Sequence, residues 1–244
     1  MDKFAPDKAI IPIVKGRPDK KISELLGTGF FVSLDQALYV LTAKHVFEGS
    51  PLVNDEFYGY VFKAGEQIQV WSVPRWAVSR DYDVAAFESR PFDEAVPLPF
   101  SDAQPPLNGD VICYEYSHSR IETRVSGHTH VTFEPLAHKG NVMRIYESTF
   151  PETVPTPSFI VSFPALQGAS GAPVVAHTKN KNFYVAGLMV ANLERHLLPA
   201  QILRIEDSSG TEETIYFLPL GKAIDARVIK EFILGLGKEP DIVE

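Results

Sequence analysis

The feature that most limits what this chain can fold into is a short apolar or alternating run, repeated along it and closed each time by Gly, Pro, Asn or Asp. "GTGFFVSL", "ALYVLTAKHVF", "EFYGYVFKA", "QIQVWSV" and "DVAAFES" fill the first hundred residues. "DVICYEYS", "HTHVTFEPL", "NVMRIYES", "SFIVSF", "APVVAH", "FYVAGLMVAN" and "TIYFLPL" follow after residue 109. Runs of this length, rich in β-branched and aromatic residues and bounded by turn formers, read as strands. Many such strands at short spacing suggest barrels or sandwiches. Only the tail changes period. In "GKAIDARVIKEFILGLG", Ala223, Ile224, Val228, Phe232 and Ile233 can share one helical face, and Gly235 or Gly237 ends it.

Between the two sets of runs lies "RPFDEAVPLPFSDAQPPLNGD", with prolines at 91, 97, 99, 105 and 106. Proline cannot donate to a central ladder, so this stretch reads as a connector. The expected organisation is one β lobe over residues 1–100, a second over 101–220, and a closing helix with its tail over 221–244. A chain of 244 residues can bury cores of that size. The single cysteine, Cys113, sits in an alternating run and reads as a buried strand residue, and one cysteine allows no intrachain disulfide. The amino end holds an apolar core of only six residues, broken by Pro12, too short for a signal segment or a membrane span. A cytoplasmic setting without membrane attachment is therefore expected. A formal charge of -8 provides no global basic footprint for nucleic acid.

One polar constellation stands out. "FPALQGASGAPVV" sets Ser170 among small residues, a composition that is ordinary for a loop but also lets a substrate backbone approach. "YVLTAKHVF" places His45 where an apolar strand gives way to a turn, a rigid launching point for a side chain. "SRDYDVAAFES" places Asp83 at the head of an apolar run, and Asp81 precedes it by two. Strand alternation would put both carboxylates on one face, so periodicity leaves the two open. A base, an acid and a serine, the first two in one lobe and the third in the other, form a nucleophilic site if a cleft brings them together. The pair His128 and His130 would share a strand face, but spacing supplies no third ligand and no metal is expected. No cofactor is expected either.

At "GTGFFV", "LTAKHVF", "DVAAF" and "GASGAPVV" the chain resembles chymotrypsin-fold serine peptidases, most of all the HtrA/Deg-type protease domain. The tail "YFLPLGKAIDARVIKEFI" is similar to that branch as well, with no PDZ-length extension after it. The resemblance implies an all-β fold of two six-stranded antiparallel β-barrels with a C-terminal helix. It also implies His45 as general base, Asp83 as its orienting acid (the D-V-A context favours it over Asp81) and Ser170 as nucleophile. The N–H groups of Gly168 and Ser170 would form the oxyanion hole, flanked by Gln167 and Ala169. Substrate would add as a strand along Leu188, Met189, Val190, Ala191 and Asn192. Ala165 and Leu166 would face Met189 and Val190 as walls for the residue before the scissile bond. None is charged, and Pro164 stands near where digestive trypsins carry an acid, so a small or medium apolar residue is expected there.

Three departures from the family pattern stand beside the resemblance. Ala169 replaces an Asp or Asn, and Ala172 replaces a glycine, which suits it only if its φ is negative. Lys44 adjoins the histidine, where a cation could lower the imidazole pKa unless it points to solvent. The expected function is a serine endopeptidase acting on polypeptide, held in check by narrow specificity or by an activating or inhibitory protein partner. Its rival is a silent chymotrypsin-fold module that binds peptides or partners, and an esterase on the same residues is chemically open.

Overall fold

The computed structural model describes residues 6–18, 21–53, 55–64, 67–90, 92–123, 129–146, 157–178, 182–196, 205–207, 210–212, 217–236 and 241–243. The first lobe holds α1 (Pro6–Ala9), β1 (Ile10–Gly16), β2 (Ile22–Leu34), β3 (Ala37–Thr42), α2 (His45–Glu48), β4 (Phe57–Ala64), β5 (Gln67–Ser72), β6 (Trp76–Val78) and β7 (Ala85–Ser89). The second holds β8 (Asp110–Glu115), β9 (Arg120–Thr123), β10 (Thr129–Thr132), β11 (Leu136–Tyr146), β12 (Ser158–Val161), β13 (Pro173–His177), β14 (Phe183–His196), β15 (Ile205–Asp207), β16 (Gly210–Glu212) and β17 (Phe217–Asp225). Helix α3 (Ala226–Leu234) and strand β18 (Asp241–Val243) follow.

The two lobes differ in architecture. The second closes as a six-stranded barrel in the order β11-β12-β17-β14-β13-β8. The first is an open eight-stranded sheet, β18-β6-β7-β3-β2-β1-β4-β5. The expectation of two six-stranded barrels is therefore wrong for the first lobe, and the reason is local. Only Val73, Pro74 and Arg75 separate β5 from β6, yet β5 pairs with β4 and β6 with β7, at opposite ends of the sheet. Pro74 has no N–H to continue a ladder across that seam. The tail strand β18 then takes the other edge of β6, with Asp241 opposite Val78 and Val243 opposite Trp76. A capped edge cannot close the sheet on itself.

The tail and the amino end also depart from the sequence reading. Ala223 and Ile224 belong to β17, not to the helix, because Asp225 ends the strand as an N-cap whose side chain accepts from the Arg227 N–H. Gly235 ends the helix. The run broken by Pro12 is a central strand, β1, paired with β2 on one side and β4 on the other. Its pairing with β4 begins only at Ile13, so Pro12 lies beyond that ladder.

Packing joins the lobes. The first core sets Phe31 edge-on to Tyr60, Phe62 and Phe92 at centroid separations of 5.8, 5.7 and 5.4 Å, a geometry that aromatic quadrupoles favour. The same core includes Leu188, Val190, Ile224 and Ile229 of the second lobe and closing helix. Cys113 lies in the separate core inside the barrel, where burial pushes its thiol well up. The proline-rich connector straps both units: the Leu98 N–H donates to the Phe31 carbonyl at 2.8 Å, and the Val185 N–H donates to the Pro99 carbonyl at 2.8 Å. Among the described residues, no helix is long and apolar enough to cross a membrane.

Candidate active site

Strand β3 ends in buried Leu41 and Thr42, and after buried Ala43 and then Lys44 the chain enters the single turn of α2, whose first residue is His45. The His45 backbone N–H donates to Asp83 Oδ1 at 2.8 Å, and its Nδ1 lies 2.6 Å from Asp83 Oδ2. A carboxylate only accepts, so Nδ1 carries the proton and Nε2 is left as an acceptor. Nε2 lies 2.8 Å from Ser170 Oγ, which can donate to it. His45 and Asp83 come from the first lobe and Ser170 from the second, and the cleft between them closes the chain of three.

Asp83 does not sit on a strand but in a bend ahead of β7, braced by bonds from the Ser79 N–H to the Val84 carbonyl and from the Val84 N–H to the Tyr82 carbonyl. The alternation that set Asp81 level with Asp83 does not operate in a bend. Asp81 is exposed and only Asp83 meets the imidazole. The hydrogen bond to Asp83 holds the His45 imidazole above its ordinary value, against burial, which lowers it. Burial alone would raise the Asp83 carboxyl, yet the His45 ring, the His45 N–H and Lys44 together hold it below the usual carboxylate range. Lys44 acts on Asp83 and not on the imidazole. Its ammonium donates to the Ser79 carbonyl at 3.3 Å, and its charge acts on Asp83.

The loop before β13 carries Ser170 between two glycines of positive φ. Gly168 has φ +95° and Gly171 φ +85°, a region closed to most side chains. The N–H groups of Ala169, Gly171 and Ala172 donate to the carbonyls of Leu166, Met189 and Ala169. Among the described residues, no acceptor meets the N–H of Gly168 or of Ser170. Ala169 and Ala172 are fully buried in the barrel core, and Ala172 is not among the residues with positive φ.

Thr28 holds this loop and escaped the sequence reading. It is fully buried on β2. Its Oγ1 donates to the Gly168 carbonyl at 2.7 Å and accepts from the Tyr116 N–H at 3.0 Å. Its N–H donates to the Ser170 carbonyl at 2.9 Å, and its carbonyl accepts from Thr42 Oγ1 at 2.8 Å. One side chain therefore ties β2 to the serine loop and to the segment after β8. The only sequence signal was its place between the glycines of "GTGFF". A second missed cluster lies nearby: buried Glu115 Oε1 accepts from Ser117 Oγ at 2.8 Å and lies 2.8 Å from His138 Nε2, while Oε2 is buried without a partner.

The structure does not bring all of the residues expected to bind substrate to one surface: Gln167 lines the cleft at Ser170, and the others lie elsewhere. Leu188 and Met189 are fully buried and Val190 nearly so, because Leu188 and Val190 face the core shared by the lobes and Met189 faces the barrel interior. The Met189 backbone is committed as well, its N–H to the Ala172 carbonyl and its carbonyl to the Gly171 N–H. Ala191 and Asn192 remain at the surface, past a bulge in the pairing of β14 with β17. Ala165 and Leu166 are half-buried and Gln167 is exposed. The Ala165 N–H donates to Asn192 Oδ1 at 2.6 Å, and Asn192 Nδ2 donates to the Ala165 carbonyl at 2.7 Å. A cleft of about 510 Å³ opens on Ser170 from the other side, lined among others by Glu24, Gly27, His45, Ser50, Tyr116 and Gly168. Of the two histidines weighed for a metal, His130 is exposed on β10 and His128 lies outside the described residues.

Among solved structures, the fold is similar to that of the MamO protease domain from Magnetospirillum magneticum, with TM-score 0.57 at 13% identity over 93% of this chain and 96% of that one. It is also similar to the Rv3671c protease from M. tuberculosis in its active form (TM-score 0.55, 18% identity, 96% of this chain and 84% of that one). The inactive form of that protease gives 0.52 at 18% over 95% and 90%. At such identities the likeness is one of fold. No functionally curated protein matches the sequence. Residues 27–183, well over half of the chain, match the family model described as a trypsin-like peptidase domain, and the chain belongs to that family.

Proposed function

We propose that the protein is a serine endopeptidase that hydrolyses peptide bonds through His45, Asp83 and Ser170. The observation that carries this reading is the unbroken hydrogen-bond chain from Asp83 through His45 to Ser170 Oγ, beside two N–H groups without acceptors. In this reading Ser170 Oγ attacks the scissile carbonyl carbon while its proton passes to His45 Nε2. The carbonyl oxygen becomes an oxyanion between the N–H groups of Gly168 and Ser170, donors that contribute about 2.7–4 kcal/mol each in comparable sites. The C–N bond breaks as the imidazolium returns its proton to the departing amine. Water then attacks the ester, losing a proton to His45, and the serine is released with its hydroxyl restored. Asp83 holds the imidazole in one tautomer and stabilises its cation throughout.

The motifs "GTGFF" and "LTAKHV" support the HtrA/Deg-type branch as the nearest kind of trypsin-like domain. The experiment is fluorophosphonate labelling of the purified protein, with Ser170→Ala and His45→Ala as controls. Labelling lost in both variants supports an activated serine. An unlabelled wild-type protein overturns the reading and favours a silent peptide-binding module.

A further inference from the structure

The half of a peptide substrate that departs and the half that stays on Ser170 meet very different surfaces. The acyl half should pass by Ala165 and the end of β14, since the carbonyl oxygen is drawn toward the Gly168 and Ser170 N–H groups. That side is shut. Asn192 bridges the two walls with its paired bonds to the Ala165 N–H and carbonyl. Beneath them the Gly221 N–H donates to the Phe163 carbonyl at 2.6 Å, and the end of the Met189 side chain packs over Gly221, so closely that a Cβ there would lie 3.1 Å from Met189 Cε. The Asn192 amide, tied to Ala165 by both bonds, takes the space that a large side chain before the scissile bond would need.

The opposite side is open. The cleft at Ser170 includes His45 and Gly168 but no residue of 188–192, so it receives the departing half. Its lining mixes the polar Glu24, Ser50, Ser117 and Ser119 with the apolar Leu25, Leu26 and Val46. Pro12 and Tyr116 also border a second cavity of about 450 Å³, formed with Ile10, Val61, Lys63, Ile68, Phe133 and Pro135. The Tyr116 ring is held between the two: its hydroxyl donates to the Ile10 carbonyl at 3.4 Å, and Phe133 packs edge-to-face against it at 6.5 Å. Ile68 at the far end is 57% exposed. A stretch of mixed polarity at the nucleophile, continued by an apolar one, fits an extended polypeptide and not a small ester.

We propose that this chain selects its substrate on the leaving-group side of the scissile bond, through the Glu24–Tyr116 cleft and its apolar continuation to Phe133 and Ile68. Before that bond it accepts only small side chains. The proposal rests on the endopeptidase reading. It assigns the substrate as a polypeptide that continues well past the cut and carries apolar side chains further on.

The test compares internally quenched peptides that carry four residues after the scissile bond with coumarin amides of the same acyl sequence. Selection on the leaving-group side lowers kcat/KM for the amides by on the order of 100-fold, the factor expected from losing the burial of one or two apolar side chains. Ile68→Glu shrinks that ratio. Asn192→Ala raises cleavage after Leu or Phe relative to Ala. Amides cleaved within about tenfold of the long peptides, or an Asn192→Ala profile with the same exclusion of large residues, overturn the proposal. Fluorophosphonate labelling run in parallel separates the two failures. An unlabelled protein refutes the endopeptidase reading itself, whereas a labelled protein without leaving-side dependence refutes only this inference.

Discussion

Thr28→Val tests whether one buried hydroxyl positions the serine loop. Valine keeps the shape and removes the oxygen of the fully buried Thr28, so the half-buried Tyr116 N–H and Gly168 carbonyl each lose their bond to it. An unsatisfied buried polar group costs about 1–3 kcal/mol, so two of them cost at most about 2–6 kcal/mol, with half-buried groups toward the lower end. That is a large share of the ~5–15 kcal/mol that holds a typical domain together. In urea the midpoint falls by about 1 M if the slope is near 3 kcal/mol/M, as suits a chain of this size. The rate of fluorophosphonate labelling should fall too, because the Gly168 carbonyl is then free to turn and carry its peptide with it. Thr28→Ser restores the hydroxyl and should recover most of both losses. A valine variant within about 0.5 kcal/mol of wild type, the usual range for substitutions away from such features, with unchanged labelling, would refute the reasoning. So would a serine variant as damaged as the valine.

Asp83→Asn keeps the shape of the acid but lets it donate toward His45, favouring the wrong tautomer, and kcat/KM on a quenched peptide should drop by on the order of 10⁴. The same assay against pH has its rising limb above the ordinary imidazole value of about 6.5, because Asp83 raises His45 and only the neutral ring can take the serine proton. In the resting protein the stability from that raised pKa is complete below the unfolded value and fades as pH climbs through the folded one, which melts recorded across the range should follow. Gly171→Ala puts a Cβ into the Thr28 carbonyl and Thr42 Oγ1 at positive φ, and should lower stability by about 3 kcal/mol or more in a denaturant melt. His138→Ala leaves buried Glu115 Oε1 with Ser117 Oγ as its remaining partner and should cost about 1–3 kcal/mol in a denaturant melt. Glu115→Gln with His138→Ala should recover part of that loss.

What could be read from the chain alone was whatever local periodicity and residue type decide. Short alternating runs bounded by turn formers specify strands wherever they lie, so β2, β3, β4, β8, β13 and β14 were legible. A histidine leaving an apolar strand and a serine among glycines are local features, and the fold brings both to one cleft. The choice between Asp81 and Asp83 was not legible from periodicity, since it turns on a bend that only the Ser79–Val84 bonds define. Nor was the open first lobe, because β18 reaches β6 across more than 160 residues of chain. Burial was the largest gap. Leu188, Met189 and Val190 look like any exposed alternating edge, and nothing local says that two lobes and a barrel interior claim all three side chains. The same holds for Thr28, and for Asn192 reaching back to Ala165. Sequence sets what each strand can be. Which edge stays open and which pocket is filled depends on contacts between distant segments, and those exist only once the lobes have packed.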